Sequence, residues 1–222
     1  MSDRERIFAI IRKRLFHVQK IKFTDNYQSP LKKLVPDNFS DLLLQFKQEL
    51  EALGGRAIQI SSTDELRAAI LANLKENSSI FITDQIMRTY PELVDKINKS
   101  KKYIMEKDLA SLIPNSKIYK ETVNSIDAAI TGCLCTIAET GTIVISGNSR
   151  LPLAMAQELI VIIKPGQMLK TLDEFFTGKH FKEHNHSNLF MVTGPSQTAD
   201  IEKELVKGVH GPKDVFAFFA DK

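Results

Sequence analysis

Cysteine is scarce in this chain: Cys133 and Cys135 are the two thiols in 222 residues. One residue apart, they cannot close an unstrained disulfide, which excludes a disulfide scaffold and leads us to expect reduced thiols in a cytoplasmic protein. Nor do they form a CxxC redox pair, so they read as small core residues. Long apolar runs are lacking as well. The stretch Leu159–Ile163 is strand length, far short of a bilayer span. The opening Ser2-Asp3-Arg4-Glu5-Arg6 carries no apolar signal core, so neither a membrane span nor a secretory leader is expected. Charge of one sign is nearly balanced, 30 Lys+Arg against 27 Asp+Glu for a net +3. The densest basic stretches, Arg12–Arg14 and Lys99–Lys102, are short and not interleaved with aromatics, so no nucleic-acid partner is expected. There is no P-loop, no GxGxxG, no GxSxG, no internal repeat and no low-complexity segment.

What is present is an ordinary globular mixture, 43% hydrophobic and 26% charged. A helix capped by Asp3, with Ile7, Ile10, Ile11 and Leu15 at helical spacing, precedes a polar stretch holding Pro30 and Pro36. This predicts an N-terminal helical arm and linker over residues 1–38, followed by an α/β domain over 39–222. In the domain, a helix capped by Ser40 carries the stripe Phe39, Leu42, Leu43, Phe46, Leu50 and Leu53, and Gly54-Gly55 stops it. A strand at 56–60, a helix at 63–74, a strand at 79–83 and weaker strands at 103–105 and 118–120 follow. Apolar runs then recur at 135–138 with 142–145, and at 159–163, 189–192 and 215–219, with a helix expected over 198–207. Alternating strands and helices with continuous apolar runs predict an α/β fold with a mostly parallel central sheet flanked by helices.

Ligands in open α/β sheets gather at the carboxyl ends of strands, and three polar segments are candidates for such places. In Ala138-Glu139-Thr140-Gly141-Thr142, a carboxylate interrupts an apolar run and Gly141 permits a tight turn or close backbone approach. It is either a site, where burial obliges Glu139 to find partners, or a solvated surface turn. In Thr193-Gly194-Pro195-Ser196-Gln197-Thr198, followed by Asp200 and Glu202, a strand gives way to a polar loop and an expected helix. Free N–H groups and hydroxyls there can hold an anion, or Ser196 and Thr198 simply cap the helix. In Gly208-Val209-His210-Gly211-Pro212, a Gly-framed imidazole is either a proton shuttle or a loop residue bonded to backbone carbonyls. Arg150, closing a Gly-containing turn, can clamp a carboxylate or phosphate, or only cover its loop. His180, His184 and His186 beside Glu183 have ligand-like spacing, but no carboxylate or cysteine framework completes a metal site.

Taken in order along the chain, the Ala138–Thr142, Thr193–Glu202 and Gly208–Pro212 segments resemble the LUD-domain family of lactate-utilisation proteins, and within it the C-component branch. The helix at Ile7–Arg12 and the helix end at Phe46–Gly55 match the family's layout too. The resemblance implies a fold similar to the sugar-isomerase and CoA-transferase-like α/β folds (NagB/RpiA/CoA transferase-like), with the motif loops over one end of the sheet. It implies a cytoplasmic three-part system that oxidises L-lactate to pyruvate, with iron–sulfur clusters in the two partner proteins and no cofactor or metal in this chain, whose two cysteines cannot supply four thiolates. It carries Glu139, His210 and Asp200 over as candidate catalytic residues. Thr140, Gly141, Thr142, Thr193, Gly194, Pro195, Ser196, Thr198, Glu202, Gly208 and Gly211 carry over as ligand-binding candidates, to which Arg150 is added from its place in the turn. The ligand implied is a small anionic metabolite or the partner proteins. Gln197 stands where a basic residue is common, and Cys133 and Cys135 where small or acidic ones are. The alternative is an independent enzyme acting on an acyl or phosphorylated substrate, since the Glu-Thr-Gly turn loosely resembles the catalytic turn of CoA transferases.

Overall fold

The computed structural model describes residues 38–75, 78–100, 102–147, 150–182, 189–199, 205–208 and 211–220. These lie within the compact unit Val35–Lys222. The expected N-terminal arm falls outside the described residues up to its last position, Asn38.

Helix α1 spans Phe39–Ala52 and buries Leu42, Phe46 and Leu50, one residue per turn on one face. Its cap is Asn38, not the expected Ser40: Asn38 has extended backbone and its side chain accepts from the Asp41 N–H, while Ser40 lies inside the helix. Gly54, at φ +87°, ends the turn as expected and leads into β1, Arg56–Ile60. Helix α2, Thr63–Asn73, opens with a reciprocal cap: Ser62 accepts from the Glu65 N–H, and Glu65 accepts from the Ser61 N–H.

Strand β2 (Ser79–Ile82), short helix α3 (Asp84–Thr89), helix α4 (Pro91–Ser100), strand β3 (Lys102–Met105), helix α5 (Glu106–Ser111) and helix α6 (Ser116–Asn124) follow. Residues 118–120 are thus helical, against the strand expected from their apolar pair. Asn115 caps α6 by accepting from the Ile118 N–H, and Ile118 faces outward while Val123 is buried. Strand β4 (Ala128–Gly132), strands β5 (Cys135–Ile137) and β6 (Thr142–Ser146), helix α7 (Arg150–Met155), strands β7 (Glu158–Ile163) and β8 (Met168–Leu169), helices α8 (Leu172–Thr177) and α9 (Lys179–Lys182), and strands β9 (Leu189–Val192), β10 (Gln197–Ala199), β11 (Leu205–Lys207) and β12 (Asp214–Ala220) complete the order.

The main sheet has six strands in the order β1-β12-β7-β4-β2-β3, all parallel. A second, four-stranded sheet in the order β8-β5-β6-β9 is mixed, with β6 antiparallel to both neighbours. Alternate residues of the main strands serve opposite faces. Leu159, Val161, Ile163, Ala217 and Phe219 join Phe46 and Leu50 of α1 and Ile143 and Ile145 of β6 in one core. Ile160, Ile162, Phe216 and Phe218 join Leu66, Ile70, Ile86 and Leu93 of the helices on the far face. Both faces are covered, which is why these strands read as unbroken apolar runs.

Where the stretch 198–207 is described, it does not form the expected helix. The described parts of that stretch pair as an antiparallel ribbon, Gln197 opposite Lys207 and Thr198 opposite Val206. The β-branched Thr198 and Val206 suit a ladder better than a helix.

Candidate functional site

The Glu139–Thr142 turn joins β5 to β6. Gly141 sits at φ +64°, and a Cβ there would stand 2.5 Å from the backbone N of Leu50. The turn is therefore pressed against the last turn of α1. Glu139 is half-buried and tied at two points: its N–H donates to the Lys170 carbonyl at 3.0 Å, and its Oε2 accepts from the Leu172 N–H at 3.2 Å. Leu172 opens α8, so the carboxylate satisfies an N–H that the helix itself leaves unpaired. Of the two readings of Glu139, the freely solvated one is thereby removed.

Three hydroxyls link this turn to the second segment. Thr140 Oγ1 lies 2.6 Å from Thr142 Oγ1, which lies 2.9 Å from Thr193 Oγ1. Gly194, at φ +89°, lies so close to α1 that a Cβ would be 3.0 Å from Leu53 Cβ. Gln197 Nε2 donates to the Leu53 carbonyl at 2.9 Å, so the residue standing where a basic one is common latches backbone. Ser196 then joins the third segment. Its N–H donates to the Pro212 carbonyl at 2.8 Å, its carbonyl accepts from the Gly208 N–H at 2.9 Å, and a Cβ on Gly211 would be 3.0 Å from Ser196 Cβ. Pro195 is buried beside it.

The three segments are thus joined in one continuous seam, part of which occupies an unexpected edge. Gly208–Pro212 leads into β12, and Leu53 precedes β1, so these contacts sit at the amino ends of the main strands. A loop entering a parallel strand lies at its amino end by construction, and the expectation of carboxyl-end loops is corrected there. Arg150 is exposed at the start of α7, with no hydrogen bond or ion pair among the described residues. Asp200, Glu202, His210, His184 and His186, and the side chains of Thr198 and His180, lie outside what is described.

Gln167 escaped the sequence reading. Its Nε2 donates to the Cys133 carbonyl at 2.7 Å, its Oε1 accepts from the Lys164 N–H at 2.7 Å, and its carbonyl accepts from the Thr136 N–H at 2.6 Å. It clamps the end of β7 to the start of the second sheet. The Pro165-Gly166 pair marks the turn that carries it, with Gly166 at φ +80°.

Both cysteines are buried and free, as expected of core residues. Burial pushes the Cys133 thiol far up, reinforced by Cys135. Cys135 is pushed up to about 12 by burial and by the nearby Glu174. Neither is a thiolate at neutral pH, so neither is a ready metal ligand or nucleophile. Among the described residues, no group of three or more His, Cys, Asp or Glu is placed to hold a metal ion, and no helix is long and apolar enough to cross a membrane.

An α/β unit with this motif seam on its first helix defines a domain class, and comparison with known proteins gives that class its family. The LUD domain matches residues 43–219, and the chain belongs to the LUD-domain family. It is 28% identical over 189 residues to lactate utilization protein C of Oceanobacillus iheyensis, covering 82% of this chain and 74% of that one. It is 33% identical over 91 residues to lactate utilization protein C of Deinococcus radiodurans, covering 39% and 43%. An uncharacterised protein of Neisseria meningitidis is 33% identical over 99 residues, covering 43% and 42%. In the latter two, the chain spans less than half of the relative's length. The crystal structure of a DUF162 family protein from Deinococcus radiodurans superposes with a TM-score of 0.58 at 19% identity, over 83% of this chain and 99% of that one, which establishes the shared fold.

Proposed function

We propose that this chain is the C-type component of a lactate-utilisation system, supporting the iron–sulfur-dependent oxidation of L-lactate to pyruvate. The observation that carries the reading is the joining of the family's separated segments through the Thr140–Thr142–Thr193 hydroxyl chain, in a chain of the LUD family whose relatives bear that name. Oxidation of the lactate C2–OH to a carbonyl releases two electrons and two protons. The electrons go to the iron–sulfur partner proteins that the family resemblance implies, because this chain's two cysteines are protonated and too few for a cluster. The seam's part is to hold a small anionic metabolite or to seat the partners. Glu139 and His210 are the acid–base candidates, and Asp200 is the further carboxylate. The Thr193–Thr198 loop offers its hydroxyls to the anion, its Ser196 N–H being given to the Pro212 carbonyl.

The test is complementation of a strain lacking this chain with Glu139→Gln. The amide retains an acceptor for the Leu172 N–H, so the variant is expected to melt with the wild type and to fail to restore growth on L-lactate. Wild-type growth on L-lactate removes Glu139 from the reading.

A second reading, action on an acyl or phosphorylated substrate, is favoured by one observation. The carboxyl edge of the main sheet, opposite the end where Gly208–Pro212 enters it, holds a cleft lined in part by Lys164.

A further inference from the structure

Three loops leave the main sheet at its carboxyl edge and meet over β12 and β7. Thr63 follows β1, Lys164 follows β7, and α3 runs from the end of β2 across β4 to bring its last residues alongside. Gln85 of α3 lies so close over Gly132 that a Cβ there would be 2.6 Å from its amide group. That side chain fills the crevice between β2 and β4, where chain connections diverge and ligands otherwise enter an open α/β sheet. The open space lies one strand further on. A cleft of about 440 Å³ is lined by Thr63, by the α3–α4 corner from Thr89 to Leu93, and by Lys164. That volume falls within the range of small-molecule sites.

Its chemistry is that of an oxyanion receptor. Lys164 Nζ lies 3.4 Å from Thr89 Oγ1, a neutral partner, and no carboxylate among the described residues stands within ion-pair distance of it. Helix α4, ten residues long, begins at the cleft with Pro91, so the N–H groups of Glu92 and Leu93 have no partner in its own ladder. The independent sign is Tyr90. It lines the cleft, is 7% exposed, and carries a buried hydroxyl with no hydrogen-bond partner. Buried polar groups are rarely left so, and each calls for an explanation, a bound ion among them. Burial raises its pKa, so at neutral pH it is a donor.

We infer that this cleft is a binding site for an oxyanion, the carboxylate or phosphate of a small metabolite, received by Lys164, the Tyr90 hydroxyl and the first turn of α4, separately from the Glu139 seam. Glu92, on the same rim, opposes a second negative charge and so favours a carboxylate over a phosphate of higher charge. The inference does not rest on the lactate reading, and its test does not use growth.

Heteronuclear NMR titration of the full chain with sodium pyruvate, sodium L-lactate and inorganic phosphate, each to roughly 20 mM at constant ionic strength, is the measurement. At least one probe is expected to saturate, with shifts centred on residues 89–93 and 164. Lys164→Ala is expected to weaken that probe at least tenfold, and Glu92→Gln to tighten it severalfold. Tyr90→Phe is expected to weaken it while leaving the melting temperature of the free protein equal or higher, since it deletes an unsatisfied hydroxyl; a merely structural tyrosine would not separate the two readouts. Saturation by pyruvate or lactate alone identifies a carboxylate ligand, and by phosphate alone a phosphorylated one. Failure of all three probes to saturate, or equal affinity of the wild type and Lys164→Ala, overturns the inference.

Discussion

Gly141 does two things that no other residue can do there. Its φ of +64° is a conformation that side chains disfavour, and the backbone of Leu50 and Glu49 occupies the space of a Cβ. The sequence showed a glycine in a turn and left open a tight bend or a close approach; both hold. Gly141→Ala is therefore expected to lower stability by about 3 kcal/mol, combining positive-φ strain with a backbone clash that cannot relax by rotating a side chain. Urea denaturation monitored by circular dichroism reads this directly, and a loss below about 1 kcal/mol would show that the turn can lift off α1. The partners of Glu139 and Thr142 were not legible in the same way. Leu172 is 33 residues from Glu139 and Thr193 is 51 residues from Thr142, and nothing local in the sequence encodes a contact at that separation.

Helix α1 is the element on which the seam is built. It receives Gly141 at Leu50, and Gly194 and Gln197 at Leu53, while Phe46 anchors its buried face by an edge-on contact with Phe219 at 5.2 Å between ring centroids. Phe46→Ala is expected to lose about 4 kcal/mol of stability. It should also increase hydrogen exchange at 140–142 and 193–197 more than on the α2–α4 face, as measured by exchange mass spectrometry; uniform loosening would separate α1 from the seam. The apolar period of this helix was plain in the sequence, and so were its glycine stop and nearly every strand of the main sheet. The elements misread were short, and the small residues of β4, Ala128–Gly132, gave no apolar run to read. Residues 198–207 have a helix-like composition, yet their described parts pair across a ribbon, because a strand partner satisfies backbone groups that a brief helix would leave open.

At the scale of the whole molecule, the main sheet separates two regions. Its amino edge carries the contacts of Ser196, Gly208 and Pro212, and its carboxyl edge carries Lys164 and Tyr90. Cys133, just after β4, and Cys135, in the second sheet, are buried as protonated thiols in two separate apolar clusters. The native state keeps these protons where the unfolded chain releases them, so stability is expected to fall as the pH rises above the ordinary thiol range of about 8.5. By pH 9.5 the loss is between roughly 1 and 1.5 kcal/mol per thiol. Urea midpoints at pH 7.5 and 9.5, compared with those of Cys135→Ala, measure it; an identical slope in the variant would remove Cys135 as a contributor.

Local pattern was enough to establish the α/β class, the parallel runs and the three polar segments, since burial on two faces and the demands of tight turns act within a few residues of sequence. Which edge of the sheet each segment reached, that Glu139 caps a distant helix, and that Tyr90 and Lys164 line one cleft depended on strand order. In a parallel sheet, crossovers of tens of residues set the neighbours, and their outcome is written in the packing of the whole domain.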